Sequence, residues 1–328
     1  MVEQQLKGRI RGQAAVHRWF LLAEQALRTH GEALNRLNVF PVADSDTGTN
    51  MLATMTAARR AAEQSDSEDL GVLLASAGAE AMAQARGNSG TLLAVLLSGF
   101  AEPLHGHERL TIGALDQALE HGSVRAWSAL SDPVGGTMLS VLDAVRSCAR
   151  EQTASSEEPE SRAALIKALE VMLQAARAAV EATEQELGAL RQAEVVDSGG
   201  TGLLAIFDAL RAAVTGSDPD PELLQGLRGL QREPSEQPRR DSAAQDVEIM
   251  CTVRLDPLGA ASLRHRLDEV GDSVIITPID SEPDEAGSYR WRIHVHAQEE
   301  DAAARVIREA GEVTTYTAAA LYGADAEH

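Results

Sequence analysis

Asp44 and Asp46 stand two residues apart in the segment Asn38-Val39-Phe40-Pro41-Val42-Ala43-Asp44-Ser45-Asp46-Thr47-Gly48-Thr49-Asn50. On a helix, carboxylates at that spacing diverge; in a turn or an extended segment they share a side. Pro41 and Gly48 favour the turn. Two carboxylates held together repel one another unless a cation lies between them, and their hard oxygens suit Mg²⁺. The same residues would equally serve as an acidic Asx-turn that caps the helix after it.

A second chemistry comes from repetition. A Gly-Thr pair opens an apolar helical run four times, at Gly48-Thr49, Gly90-Thr91, Gly136-Thr137 and Gly200-Thr201, with spacings of 42, 46 and 64 residues. One helix up, one helix down and two loops take about 40 residues at ordinary helix lengths. In an antiparallel array each such step returns the chain to the same end. The spacing therefore predicts four glycine-rich helix N-termini on one face of a bundle of roughly eight helices. Helix N-termini carry unpaired N–H groups and partial positive charge, so a cluster of them suits a polyanion. Each pair taken singly is also an ordinary helix entry with Thr as N-cap.

The basic residues sharpen this reading. Lys7 and Lys167 are the only lysines in 328 residues, and neither follows a glycine-rich loop. A GxxxxGK[ST] phosphate loop is therefore absent, as is the Val-Ala-Ile-Lys strand of protein kinases. A triphosphate would have to be held by metal and backbone, with Asp44 and Asp46 on Mg²⁺ and Mg²⁺ on the phosphates. Such an arrangement suits phosphoryl transfer.

A third candidate is Arg290-Trp291-Arg292-Ile293-His294-Val295-His296, an alternating strand. It puts Trp291, Ile293 and Val295 on one face and Arg292, His294 and His296 on the other. Two histidines at i and i+2, with Cys251 from an earlier strand, offer three zinc ligands. The other reading is a plain polar face. Cys148 reads as a small buried hydrophobe.

These residues need a frame. The chain is 44% hydrophobic but only 3% aromatic, which favours helices over a β-sandwich. Its net charge of −21 argues against nucleic acid or an anionic membrane as main partner. Two cysteines make no disulfide framework. With no long apolar run and no signal-peptide core at the N-terminus, the expectation is a cytoplasmic protein without stable membrane insertion. Residues 13–212 read as helical, with long amphipathic stretches at Ala14–Asn38 and Ala163–Thr183 and acidic loops at 62–70 and 151–162. A Pro- and Gly-containing linker follows, with at most a short helical turn around Leu223–Leu230. Then come strand, helix, strand, strand, helix and strand: βαββαβ, the ferredoxin-like order. The expected fold is thus an all-α eight-helix antiparallel barrel over 10–212, a linker at 213–245, and a small α+β unit at 246–328.

Four segments, NVFPVADSDTGTNM (38–51), ARGNSGTLLAVLLSGF (85–100), PVGGTMLSVL (133–142) and VVDSGGTGLLAIFDAL (195–210), together resemble the DAK2 or DhaL-type kinase domain. The bacterial fatty acid kinase branch is the nearest resemblance. The small unit is similar to the middle domain of that branch through Val270-Gly271-Asp272-Ser273-Val274 and Ile293-His294-Val295-His296. The resemblance implies an eight-helix barrel that binds ATP and Mg²⁺ at one end. It also implies γ-phosphoryl transfer to the carboxylate of a fatty acid presented by a separate DegV-like carrier protein. A homodimer is the candidate assembly.

Carried over by position, Asp44 and Asp46 match the metal aspartates, and Asn38 lies beside them. Thr47, Thr49 and Asn50 continue that motif. Asn88-Ser89-Gly90 and Gly136-Thr137-Met138 match loops around the phosphates and base. Asp197, with Gly199 and Gly200, matches the last glycine-rich loop. Arg86, the strong cation beside these loops, is assigned to transition-state charge, an ordinary surface arginine being the other reading. The resemblance also strengthens zinc at Cys251, His294 and His296.

Two departures stand out. The family has Gly between the aspartates and Pro before them; here they are Ser45 and Ala43, and Ser tolerates a left-handed backbone less well than Gly. The branch also continues into a carrier-related C-terminal domain, whereas this chain ends at His328, which implies a shortened chain or a different mode of docking. The alternatives carried forward are the ATP-binding subunit of a dihydroxyacetone-type kinase and a nucleotide-binding regulator with weak turnover.

Overall fold

The computed structural model describes residues 12–231, 246–280 and 282–321. Nine α-helices fill the first part: α1 (Gly12–Leu37), α2 (Thr47–Glu63), α3 (Leu70–Gln84), α4 (Gly87–Ala101), α5 (Ile112–Ala129), α6 (Met138–Ser155), α7 (Arg162–Glu186), the short α8 (Gly188–Ala193) and α9 (Ser198–Thr215). The eight long ones are the eight expected. Local signals start several of them: Asp69, Thr111 and Ser161 each cap a helix by accepting backbone N–H bonds at its first turn.

Successive long helices pack on one another, and α9 returns to close the ring against α1. The ring is filled by one core, with Phe20, Leu27, Leu34, Met51, Leu93 and Leu97 fully or almost fully buried. Small residues set the helix spacing. A Cβ on Gly99 of α4 would come within 2.6 Å of the Gly122 Cα on α5, so these two helices touch backbone to backbone. Among the described residues, no helix is long and apolar enough to cross a membrane.

Two segments differ from the sequence reading. The acidic stretch 151–162 is half helix, because α6 runs on to Ser155, where Thr153 and Ser155 hydroxyls bond carbonyls four residues back. The segment after α9 is also not a free linker up to residue 231. Leu223, Leu224 and Leu227 are buried in the helical core, and the Leu223 and Gln225 carbonyls accept from Arg177 of α7. Apolar residues there outweighed the Pro and Gly signals. The remainder, 232–245, lies outside the described residues, as does Lys7.

The second part is β1 (Val247–Leu255), α10 (Pro257–Asp268), β2 (Gly271–Pro278), β3 (Tyr289–Ala297), α11 (Glu300–Ala310) and β4 (Glu312–Ala320). The sheet order is β2-β3-β1-β4, every neighbouring pair antiparallel. This is the expected βαββαβ arrangement. One sheet face packs on α10 and α11 in its own core with Ile249, Cys251, Val253, Ile293 and Val295. The other face turns toward the helical ring.

Candidate functional site

The helices α2, α4, α6 and α9 all begin at one end of the ring, around a cavity of about 620 Å³. Thr47, Gly87, Thr137 and Gly199 line it from those four helix starts. The phase read from the Gly-Thr spacing is thus realised. The four starts are not equivalent, however. Thr137 and Asp197 cap their own helices, bonding the N–H of Leu139 at 3.4 Å and of Gly200 at 2.6 Å. At α2 and α4 no side chain of the N-cap residue takes up the free N–H groups.

The aspartate turn sits at the mouth of α2. Asp46 is the N-cap residue of α2, yet its carboxylate makes no capping bond, so the Asx-cap reading is not the one adopted. Ser45 between the two aspartates has φ +60, a left-handed conformation that costs a non-Gly residue about 1 kcal/mol. Asp44, held by the Asn38 amide, and Asp46 both line the cavity. Burial, and then the neighbouring Asp46 charge, push Asp44 up to about 8. Burial likewise raises Asp46. A turn that holds two carboxylates half-buried against their own repulsion fits a divalent cation, and its hard oxygens fit Mg²⁺.

Asp197, also in the lining, is buried and pushed up to about 6 by that burial, against hydrogen bonds from the Gly200 and Met138 backbone. An apolar side is supplied by Leu92, Leu130, Val134, Met138 and Leu139. The lining thus combines carboxylates that suit a cation, an apolar set that suits a planar ring, and four helix starts.

Of the residues singled out in the sequence, Asn38, Asp44, Asp46, Thr47, Asn88, Ser89, Thr137, Met138, Asp197 and Gly199 all line this cavity. Others do not. Thr49 is exposed and faces α1, where its hydroxyl and N–H bond Asn35 at 2.9 and 3.1 Å. Gly90 and Gly200 are packing positions: an added Cβ would meet Thr54 Oγ1 and Val141 Cγ2, each at 2.8 Å. Gly136 supplies a φ of +76 for the turn before α6. Asn50 lies beneath Gly87, its Nδ2 2.3 Å from where a Cβ would be. Arg86 is exposed and makes no ion pair among the described residues, so nothing aims it at the cavity.

The zinc set read from the sequence is corrected by strand register. Cys251 pairs with Ile293, while His294 pairs with Met250 and His296 with Glu248. Directly paired residues point to the same side of a sheet. Cys251 therefore faces the α10/α11 core, and burial lifts its thiol to about 12. His294 and His296 point to the helical ring beside Glu248, and the ligand atoms of these three lie within 4.8 Å of one another. Burial, then His294, holds His296 down to about 3, so it is neutral near pH 7.

Sequence reading missed the part that the small unit plays. His296, Asp268, Asp272, Ser273 and Val274 line the same cavity as the aspartate turn. The segment Gly271–Val274 was singled out only for its resemblance and His296 for that and for zinc, and Glu248, which reaches the site beside His294, was not singled out at all.

The chain is thus a closed helical ring with an aspartate turn and four glycine-rich helix starts around one cavity. The DAK2 domain profile matches residues 41–212, and the chain belongs to the DAK2 domain family. Protein YloV of Bacillus subtilis (strain 168) is 31% identical over 289 residues, 85% of this chain and 50% of that protein. An uncharacterized protein of Staphylococcus aureus (strain USA300) is 33% identical over 192 residues, 58% of this chain and 34% of its own length. The chain thus spans at most half the length of these relatives. A solved dihydroxyacetone kinase from C. freundii, in complex with AMP-PNP and Mg²⁺, aligns with a TM-score of 0.45 and 22% identity over 60% of this chain and 33% of its own.

Proposed function

We propose that the chain is an ATP- and Mg²⁺-dependent phosphotransferase that transfers the γ-phosphoryl group to the carboxylate of a fatty acid held by a separate DegV-like carrier protein. The observation that carries this reading is the meeting of the Asp44–Asp46 turn with the starts of α2 and α4, whose own N-cap side chains make no capping bond, in one cavity. Asp44 and Asp46 would hold the metal, with Asn38 fixing Asp44. Mg²⁺, when bound, supplies charge neutralisation of the phosphates. The N–H groups of Asn88 and Ser89 would donate to phosphate oxygens, and the Leu130–Leu139 side would take the base.

A carboxylate acceptor suits this site. It is already ionised near neutral pH, so its oxygen attacks the γ-phosphorus without a general base. The bond from that phosphorus to the β–γ bridging oxygen breaks, and ADP leaves with the electron pair. Positioning and charge neutralisation then do the catalysis. The fatty acid branch is supported by the resemblance of the four motifs and of the small unit. Both cysteines are unpaired and buried, in keeping with a reducing cytoplasm.

The test is to incubate the chain with Mg²⁺, ATP and a fatty-acid-loaded carrier, and to trap acyl-phosphate as its hydroxamate. Hydroxamate is expected only when all three are present. Tight Mg-ATP binding with no acyl-phosphate from any loaded carrier would show a regulator instead of an enzyme. Phosphorylation of dihydroxyacetone on a sugar-binding subunit would assign the hydroxyl acceptor.

A further inference from the structure

The outer face of the sheet grips the loop that opens α4. Glu248 of β1 accepts a hydrogen bond from the Gly87 N–H at 2.9 Å. Arg292 of β3 donates to the Ala85 carbonyl at 3.2 Å. Glu248 is itself held by His294 Nε2 at 3.0 Å, and His294 is fully buried. The loop has little slack, because Gly87 sits at φ +59 with Asn50 pressed beneath it. With the Gly87 N–H taken, the unpaired donors left in the first turn of α4 are those of Asn88 and Ser89. Both residues line the cavity.

The loop on the apolar side of the cavity is also held by the small unit. Leu130 bridges Ile275 of β2, and the Ser131 N–H donates to the Val274 carbonyl at 3.0 Å. Arg264 of α10 ties the Ala129 carbonyl to that of Ile276, at 3.1 and 2.8 Å. These residues lead into the turn that starts α6.

We infer that the C-terminal α+β unit is a working part of the nucleotide site, with Glu248 as a positioning residue that holds the Gly87 amide and so presets the first turn of α4 for phosphate. The inference rests on the ATP-binding reading above. Glu248 touches no substrate atom; it acts through the loop. A carboxylate at this spot also places negative charge near an anion site, so its value lies in geometry and not in attraction.

The experiment is calorimetric titration of Mg-AMP-PNP into the full chain as wild type, Glu248→Ala and Glu248→Gln, with amide hydrogen exchange at Gly87 followed in each. Loss of a buried charge-assisted hydrogen bond predicts a dissociation constant raised about tenfold in Glu248→Ala. Glu248→Gln should recover most of that loss, since its amide oxygen can take the place of Oε1, which meets both the Gly87 N–H and His294 Nε2. Gly87 exchange should quicken in Glu248→Ala alone. If Glu248→Ala does not fold, Glu248→Asp, shorter by one methylene, replaces it. Unchanged or tighter binding by Glu248→Ala overturns the inference, the latter by making Glu248 a competitor of phosphate. Glu248→Gln binding as weakly as Glu248→Ala overturns it too, by assigning the effect to charge. A folded wild type that binds no Mg-AMP-PNP refutes the ATP reading instead, and Gly87 exchange then still judges the contact itself.

Discussion

Mg²⁺ binding to the Asp44–Asp46 turn should release protons, and its affinity should fall steeply below pH 8. Burial and the adjacent Asp46 charge hold the metal-free Asp44 carboxyl up to about 8, so at pH 6 a cation must first displace a proton. Each pH unit below the carboxyl's titration point costs a factor of ten, about 1.4 kcal/mol. From pH 8, where the carboxyl is half protonated, to pH 6 the Mg²⁺ dissociation constant should therefore rise about 50-fold. Calorimetry at pH 6 in two buffers of unequal ionisation enthalpy counts the protons, and about one per Mg²⁺ is expected. Asp44→Asn should abolish both the release and most of the affinity. The stability of the metal-free chain follows the same linkage. A carboxyl raised on folding contributes stability fully below its unfolded value of 3.8, and that contribution is lost as pH rises through about 8. The thermal shift produced by Mg²⁺ should accordingly grow across that window. Equal heats in the two buffers, with Mg²⁺ binding at pH 6 as tightly as at pH 8, would refute the reasoning.

Three other outcomes follow from single residues. Asp197→Ala removes the N-cap of α9 and should cost about 1 kcal/mol in chemical denaturation. Asp197→Asn keeps the cap, and removes the loss of stability expected as pH rises from the ordinary carboxylate range through about 6, where the wild-type group titrates. Cys251→Ala should cost about 1 kcal/mol for a small core cavity and leave the metal content of the purified chain unchanged; a loss of metal would return Cys251 to the ligand set. Ser45→Gly relieves the left-handed backbone and should raise stability by up to about 1 kcal/mol without weakening Mg²⁺ binding.

Much of the fold was legible because it rests on local and periodic signals. The βαββαβ order follows from alternation and length, and the six elements occur in that order. The common phase of the Gly-Thr pairs placed four helix starts at one end of the ring. What the pairs did not reveal is which of their residues face inward. Gly90 and Thr49 belong to the repeated motif, yet one serves helix packing and the other bonds Asn35 on α1. The motif marks a helix entry; the crossing of α2 on α4 and α1 decides which side of that entry meets the cavity.

The histidine strand shows the sharper limit. Alternation correctly put His294 and His296 on one face, because a strand has period two whatever it pairs with. Whether Cys251 joins them depends on the register of β1 against β3, and a slip of one residue exchanges every side chain between faces. That register is set by burial of Ile249, Cys251 and Val253 under α10 and α11, a tertiary demand with no local mark. The same demand delivers Glu248 to the histidines and, through them, to Gly87. Reading Cys251 as a core residue and Glu248 as a site residue is therefore one inference. Shifting β1 by one position would bury Glu248 beneath the helices and cut the sheet's hold on the α4 loop.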